Sequence, residues 1–426
     1  MSIRVSLNDL DDTQKREVVK SLQFVPKETK YGPSDKVVYA FDITDIDIYL
    51  PLYCAQKLGF ERRTRKSFPP VKLKFKGKLR PLQKEVKGEA IKLLNRKGTC
   101  IISLYTGGGK TATAINIALG IKLPVLIIIS RLILMDQWES SLEKFCPSAT
   151  VQKVTTKTKI NPNAEFYIIN AINLPKFSRD TFKHVGTLIV DELHLIGTEK
   201  LSNSLHYVFP RYAIGLSATP TRPDGMDSLL HAYFGKETVF RKLHRKHTVY
   251  RVKTGFKPVV EQTRLGNLDW NSVLNSQAAS EERNDLIIRI IEHFSERCFL
   301  VLCKRVAHAN YLVEQLKARE IDTTSLVGVQ RRFDSNSRVL VATVQKAGVG
   351  FDHPRLNALI VAADLQEYFI QYLGRVFRTE EGEPVIFDLV DDFRVLETHY
   401  RQRRHVYLEH GGTIKNFNRV FPEFTK

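Results

Sequence analysis

The chain has 426 residues, which at roughly 150 per domain is more than one compact core holds and excludes a single small binding module. With 43% hydrophobic and 26% charged residues and a mean hydropathy of −0.22, it has the composition of a folded globular protein, which excludes global disorder. Its 65 Lys and Arg outweigh 46 Asp and Glu, and the resulting charge of +19 makes polyanions the first class of partner to consider.

Residues 1–76 read as a small N-terminal accessory domain, a polar helix-like start followed by KVVYAFDITDIDIYL, with no catalytic pattern. The stretch from 60 to 80 sets nine Lys or Arg against one acid, Glu61, around the Pro69-Pro70 break, and reads as a basic linker. Arg62, Arg63 and Arg65 are its candidates for nucleic-acid backbone contact, a solvated charged strand being the alternative. From Leu79 short apolar runs (TCIISLY, PVLIIIS, EFYIIN, VGTLIVDE, YAIGLSAT) alternate with helical periods. Buried parallel strands read as continuous apolar runs, so this alternation predicts an α/β lobe over 77–240 with helices on both faces of a parallel sheet. A basic stretch, RKLHRKHTVYRVK, falls in 241–279 and reads as a connection. A second α/β series follows over 280–395, and 396–426 reads as an Arg-rich tail whose first part docks back as a helix. Five cysteines (Cys54, Cys100, Cys146, Cys298, Cys303) contain no CxxC pair, arguing against a zinc ribbon or a disulfide framework and for a reducing compartment. The N-terminus has no apolar leader and no apolar run reaches ~18 residues, so neither secretion nor membrane spanning is expected.

Chemistry enters at IISLYTGGGKT. An apolar strand, a Gly-rich turn and Lys-Thr at a helix start let backbone N–H groups and a helix N-terminus meet phosphate. Thr106, Gly107, Gly108, Gly109, Lys110 and Thr111 are therefore the nucleotide-binding candidates, with Lys110 on the β and γ phosphates and Thr111 on Mg²⁺. Leu104 stands where the full GxxxxGK[ST] pattern has its first glycine. In TLIVDELH an acidic pair follows a buried strand, which suits Asp191 as a Mg²⁺ ligand and Glu192 as the general base on water; a helix-capping carboxylate is the alternative. His194, with Ser217 and Thr219 of GLSATPT, is expected to couple this box to the rest of the lobe. In the second series, Asp352 follows a Gly-rich strand end. Gln371, Arg375 and Arg378 of QYLGRVFR fall at i, i+4 and i+7 on one helix face, suited to clamping a phosphate that acquires charge.

Taken in order, TGGGKT, DELH, SAT, GFD and QxxGRxxR resemble the motif series of superfamily 2 helicases and translocases, over about residues 79–390. The VDELH box, the SATPTRPDGMDS stretch and the compact second lobe are most similar to the helicases of large cytoplasmic DNA viruses, including the poxvirus transcript-release helicase. They are also similar to the transcription and repair factor helicase and to phage branch-migration helicases. The resemblance implies two tandem RecA-like lobes with parallel sheets, ATP and Mg²⁺ as cofactors, and Gln83 of LRPLQ as a reader of adenine. It further implies Ser130, Arg131, Lys304, Arg305 and Thr343 on a nucleic-acid track, with Trp138 and Trp270 as candidate stacking residues, Trp138 being better read as core. Arg222-Pro223-Asp224 stands where the transcription-factor helicase carries Arg-Glu-Asp, and the proline departs from it. SLVGVQRRFDSNSRVL is shorter than usual, so one helix of the second lobe is expected to be reduced.

The function implied is an ATP-dependent helicase or translocase acting on DNA, single-stranded, forked or branched, with RNA as a further substrate and transcription or replication proteins as partners, inside an infected cell or virion. The alternative is a nucleic-acid-binding accessory protein with a decayed ATPase. Decay should have removed Lys110, Glu192, Arg375 or Arg378, and all four are present. A metabolic P-loop kinase would explain the phosphate loop but not the charge of +19.

Overall fold

The computed structural model describes residues 1–25, 37–105, 107–196, 198–218, 225–264, 266–330, 332–348, 353, 355–365, 369–377 and 382–424. Its contacts divide the chain into two units, Met1–Leu104 with Gly108–Arg241, and Lys242–Lys426 with Tyr105–Gly107.

The first unit opens with an antiparallel sheet of β1 (Ser2–Ser6), β2 (Asp42–Ile43) and β3 (Asp47–Pro51), with helices α1 (Asp12–Ser21) and α2 (Leu52–Lys57). This segment was expected to be a domain of its own. Its apolar residues Met1, Val5, Leu50 and Ala55 instead belong to one continuous core with Leu126, Tyr167 and Phe234 of the α/β lobe, so the segment is a further layer of that lobe. The lobe sheet is entirely parallel: β4 (Thr99–Leu104), β5 (Val125–Ile129), β6 (Val151–Val154), β7 (Phe166–Asn170), β8 (Thr187–Val190), β9 (Tyr212–Ser217) and β10 (Thr238–Arg241), in the spatial order β10-β4-β9-β8-β5-β7-β6. Helices α3 (Pro81–Lys97), α4 (Lys110–Ile121), α5 (Ile133–Phe145) and α6 (Asp227–Phe234) accompany it.

The basic stretch 60–80 is a strap, and its arginines are spent on the protein's own backbone. Arg62 donates to Leu94 O at 3.2 Å and Asn95 O at 3.3 Å, in the last turn of α3. Arg65 donates to Ile121 O at the end of α4, and Lys76 N to Phe145 O at the end of α5 at 2.7 Å. Arg63 donates to Lys183 O at 2.7 Å and lies over the Phe68 ring. Helix C-termini carry unsatisfied carbonyls and partial negative charge, so cations and N–H donors stabilise them. Gly98, with φ +73°, ends α3, and a Cβ there would stand 2.4 Å from Arg62 Nη1, so the approach requires glycine. These arginines are therefore engaged with the protein's own backbone, Arg62 and Arg63 half-buried and Arg65 exposed.

The second unit holds another all-parallel sheet: β11 (His247–Lys253), β12 (Phe299–Cys303), β13 (Thr323–Leu326), β14 (Val339–Thr343), β15 (Ala358–Val361), β16 (Val385–Val390) and β17 (Gly412–Asn416), ordered β13-β14-β12-β15-β16-β11-β17. Alternate residues face opposite ways, as the pleat demands: Phe299, Val301 and Ile360 join one core while Leu300, Leu302 and Leu359 join the other. Helices α7 (Trp270–Ala279), α8 (Glu281–His293), α9 (Val306–Ala318), α10 (Phe369–Val376) and α11 (Arg394–Glu409) complete it. The shortened segment between β13 and β14 carries no helix among the described residues.

Two expected boundaries move. The 241–279 connection contributes β11, an interior strand, and the 396–426 tail contributes most of α11 and the edge strand β17, so both are integral to the second lobe. The basic residues that suggested a linker are paired internally: Arg251 with Glu397, Lys246 with Glu383, and Arg245 with the carbonyls of Phe377 and Gly382. Both units are RecA-like lobes.

The strap makes a stability prediction. Arg62→Ala should lower the unfolding free energy by about 1–2 kcal/mol, from two lost hydrogen bonds at a helix end. Its nucleic-acid affinity should keep the wild-type salt dependence. Urea unfolding and a binding titration at several salt concentrations check this, and unchanged stability with a shallower salt slope would return Arg62 to the nucleic-acid surface.

Candidate nucleotide and nucleic-acid site

A parallel sheet gathers the C-terminal ends of its strands along one edge, where loops take functional residues. In the first lobe the neighbouring strands β4, β9 and β8 end at Leu104, Ser217 and Val190. Each is followed by one of the three motifs.

After β4 the chain turns through Gly107 (φ +85°) and Gly109 (φ +84°), backbone open to glycine at little cost, before α4 begins at Lys110. Lys110 Nζ donates to Leu104 O at 2.9 Å, and Thr113 Oγ1 to Gly109 O at 2.9 Å. Gln83, buried in the first turn of α3, donates from Nε2 to Gly109 O at 3.3 Å and accepts from Arg80 N at 2.7 Å. Gln83, the residue that the resemblance assigns to adenine, thus lies directly on the phosphate-loop turn, and a Cβ on Gly109 would fall 2.0 Å from its amide nitrogen. Thr111 occupies the first turn of α4 and is half-buried.

After β8, Asp191 is buried and both its oxygens are engaged: Trp138 Nε1 donates to Oδ2 at 2.8 Å and Glu192 N to Oδ1 at 2.9 Å. Burial, and then the neighbouring Glu192 charge, push the Asp191 carboxyl up to about 6, against the opposing pull of Trp138 and of Lys110. That Lys110 acts on Asp191 places the two motifs together. Glu192 takes φ +47°, a left-handed backbone costly for a side chain with a Cβ, and its Oε2 has no hydrogen-bond partner although buried, lying 3.5 Å from His194 Nδ1. His194 Nδ1 is in turn 3.3 Å from Ser217 Oγ. Strained backbone and an orphaned acceptor at one residue mark a group held ready for something that the protein itself does not supply. Both lone-pair-rich oxygens of Asp191 suit a hard cation, and among the described residues no group of three or more His, Cys, Asp or Glu is arranged to hold a metal ion by itself. A cation here would draw its remaining ligands from Thr111, phosphate and water.

Trp138, read from sequence as core, is core, and it also orients the acidic box. A buried indole needs an acceptor for its N–H, which was the available signal. Trp270 is half-buried, its ring centroid 5.5 Å from that of His399 at an interplanar angle of 29°. Ser130 and Arg131 follow the end of β5, the Ser130 hydroxyl buried without a hydrogen-bond partner.

In the second lobe Cys303 and Thr343 pair in register, so Lys304, Arg305 and Thr343 share one strand-end edge, Lys304 exposed and Thr343 buried. Gln371 and Arg375 are buried on α10. Thr106, Thr219, Arg222-Pro223-Asp224, Asp352 and Arg378 lie outside the described residues.

Residues 76–222 match the family described as ResIII, type III restriction enzyme, res subunit. The chain is 39% identical to "Putative helicase 161L" of Invertebrate iridescent virus 6 over 98% of its own length and 100% of that protein, and 34% identical to "Putative helicase 055L" of Frog virus 3 over 79% of each. The solved structure of S. cerevisiae Dbp5 bound to RNA and ADP BeF3 matches the fold with a TM-score of 0.58 at 15% identity, over 82% of this chain and 98% of that one.

The raised Asp191 carboxyl has a thermodynamic consequence in the metal-free protein. A carboxyl whose folded value lies above its unfolded one, here about 6 against 3.8, contributes stability at low pH that is lost as pH rises through that window. The stability of Asp191→Asn relative to wild type should therefore climb between pH 4 and pH 7.5, by on the order of 2 kcal/mol. Taking the difference across pH removes the constant cost of the altered hydrogen bonds. Urea unfolding in chelator checks it, and a pH-independent difference contradicts it.

Proposed function

Since this chain belongs to the superfamily 2 helicases, we propose that it is a nucleic-acid-stimulated ATPase that unwinds or remodels DNA in viral transcription, replication or repair. The observation that carries the reading is the convergence of Lys110, Asp191, Glu192, His194 and Ser217 on one sheet edge, with Glu192 strained and one of its buried oxygens accepting no hydrogen bond.

In this reading Gly107, Gly108 and Gly109 offer backbone N–H groups to the phosphates of ATP, with Thr106 beside them, and Gln83 reads the adenine. Lys110 moves from Leu104 O to the β and γ phosphates, a short displacement for a four-carbon stem. Thr111 and Asp191 would hold Mg²⁺, which when bound would supply charge neutralisation on the transferring phosphate. Glu192 orients a water and takes its proton as the water oxygen bonds to the γ-phosphorus; the bond from the γ-phosphorus to the β–γ bridging oxygen breaks, and ADP and phosphate leave. His194, Ser217 and Thr219 link this event to the rest of the lobe, while Asp352, Gln371, Arg375 and Arg378 of the second lobe meet the nucleotide, the arginines stabilising charge that develops on the γ-phosphate. Ser130, Arg131, Lys304, Arg305 and Thr343 hold nucleic-acid backbone phosphates, so binding is salt-dependent and indifferent to sequence. Transcription or replication proteins of an infected cell are the protein partners that such an activity would serve.

Two substitutions separate the roles. Lys110→Ala should abolish ATP turnover while leaving DNA affinity within a few-fold of wild type, because the lysine meets phosphates of ATP and not of DNA. Glu192→Gln should keep nucleotide binding and lose turnover by on the order of 10²-fold or more. Fluorescent-nucleotide binding and phosphate release measure both; wild-type turnover in Lys110→Ala, or lost nucleotide binding in Glu192→Gln, contradicts the assignment.

A further inference from the structure

Arginines in this protein are as a rule neutralised by carboxylates or spent on carbonyls. In the second lobe Arg251 pairs with Glu397, Arg283 with Asp391, Arg289 with Asp285, Arg319 with Glu292, and Arg403 with Asp388. Arg305 is built differently. Its Nε donates to Asn275 Oδ1 at 3.0 Å and its Nη2 to Asn271 Oδ1 at 2.6 Å. Among the described residues no carboxylate lies within ion-pair distance of it.

The two asparagines stand four residues apart on α7, so their amides share one face of the helix. Asp269, the acid next to them in sequence, spends its carboxylate as the N-cap of α7, accepting from Asn271 N at 2.9 Å. Both asparagines are exposed and Arg305 is half-buried at the strand-end edge beside Lys304. A guanidinium has five N–H donors in a rigid plane. Two are taken by amide oxygens. The remaining three include both on Nη1 and one on Nη2, the side of the fork that grips two phosphate oxygens at once.

We infer that Asn271 and Asn275 are positioning residues that hold Arg305 as a preorganised phosphate clamp for the nucleic-acid backbone, and that they are amides because an amide fixes the fork without cancelling its charge. An acid at either position would make the same hydrogen bond and neutralise the cation. This inference rests on the reading of Arg305 as a nucleic-acid contact and adds the residues that orient it. Neither asparagine belongs to the ordered motifs; α7 lies in the segment that the sequence alone presents as a connection.

The isosteric pair Asn271→Asp and Asn275→Asp tests the claim, because each keeps shape and hydrogen bond and changes only charge. Affinity of the full chain for a single-stranded DNA oligonucleotide, read by anisotropy across a salt series, should fall about tenfold in each variant, with the slope of log affinity against log salt lower by about one. Thermal unfolding should stay at the wild-type midpoint. Arg305→Ala, the reference, should show the same lowered slope. Wild-type affinity and slope in both aspartate variants, with Arg305→Ala weakened, overturns the role of the asparagines and leaves the nucleic-acid track standing. An unchanged Arg305→Ala overturns the placement of Arg305 on the track, and the clamp with it.

Discussion

The seven described strands of each lobe's large sheet run in the same direction, and most of the molecule's chemistry follows from that constraint. Parallel strands buried on both faces are mostly apolar along their length, and functional polar groups gather at their C-terminal ends. The ends of β4, β8 and β9 are neighbours although the residues following them, around 105, 191 and 218, are far apart in sequence. A lysine, a carboxylate pair and a His–Ser contact thereby meet in one place. The cost is local: Asp191 is buried with its carboxyl pushed up to about 6, Glu192 is bent into a left-handed backbone, and one buried Glu192 oxygen accepts no hydrogen bond. Trp138 anchors the arrangement by giving Asp191 a donor from a helix beside the sheet.

The charge of +19 is less available to partners than its size suggests. Arginines of the 60–80 strap close the C-terminal ends of α3 and α4, and those of the 241–253 stretch pair with glutamates or bind carbonyls. Charge that is internally consumed gives stability and no affinity. Arg305 is held by neutral amides and Arg251 by a carboxylate, so the guanidinium charge is cancelled at Arg251 and not at Arg305.

The strand, Gly-rich turn and helix around Lys110, the strand end that carries Asp191 and Glu192, and the alternation of strands and helices were legible because each is local. Apolar runs such as LPVLIIIS admit few readings, and a Gly-rich turn between a strand and Lys-Thr has a specific physical use. The strand His247–Lys253 was not legible, because HTVYRVK places Arg251 and Lys253 in a segment whose burial depends on distant partners, Glu397 among them. The edge strand Gly412–Asn416 is short and half polar, and is ordered by pairing with that same strand. The arginine strap looked like a linker for a related reason: a run of cations has no meaning until the carbonyls it caps are located, and these lie more than thirty residues away, at Leu94 and Asn95. Membership of the continuous first-lobe core likewise depends on contacts between Met1 and residues beyond 120, which no local pattern encodes.

If the phosphate loop and the acidic box serve an ATPase governed by nucleic acid, ATP turnover by the full chain responds to nucleic acid. Steady-state turnover, measured without nucleic acid and then with single-stranded DNA, forked DNA and RNA of equal length, should be low alone, rise clearly with single-stranded or forked DNA, and rise less with RNA. An equal rate in all four conditions excludes that reading.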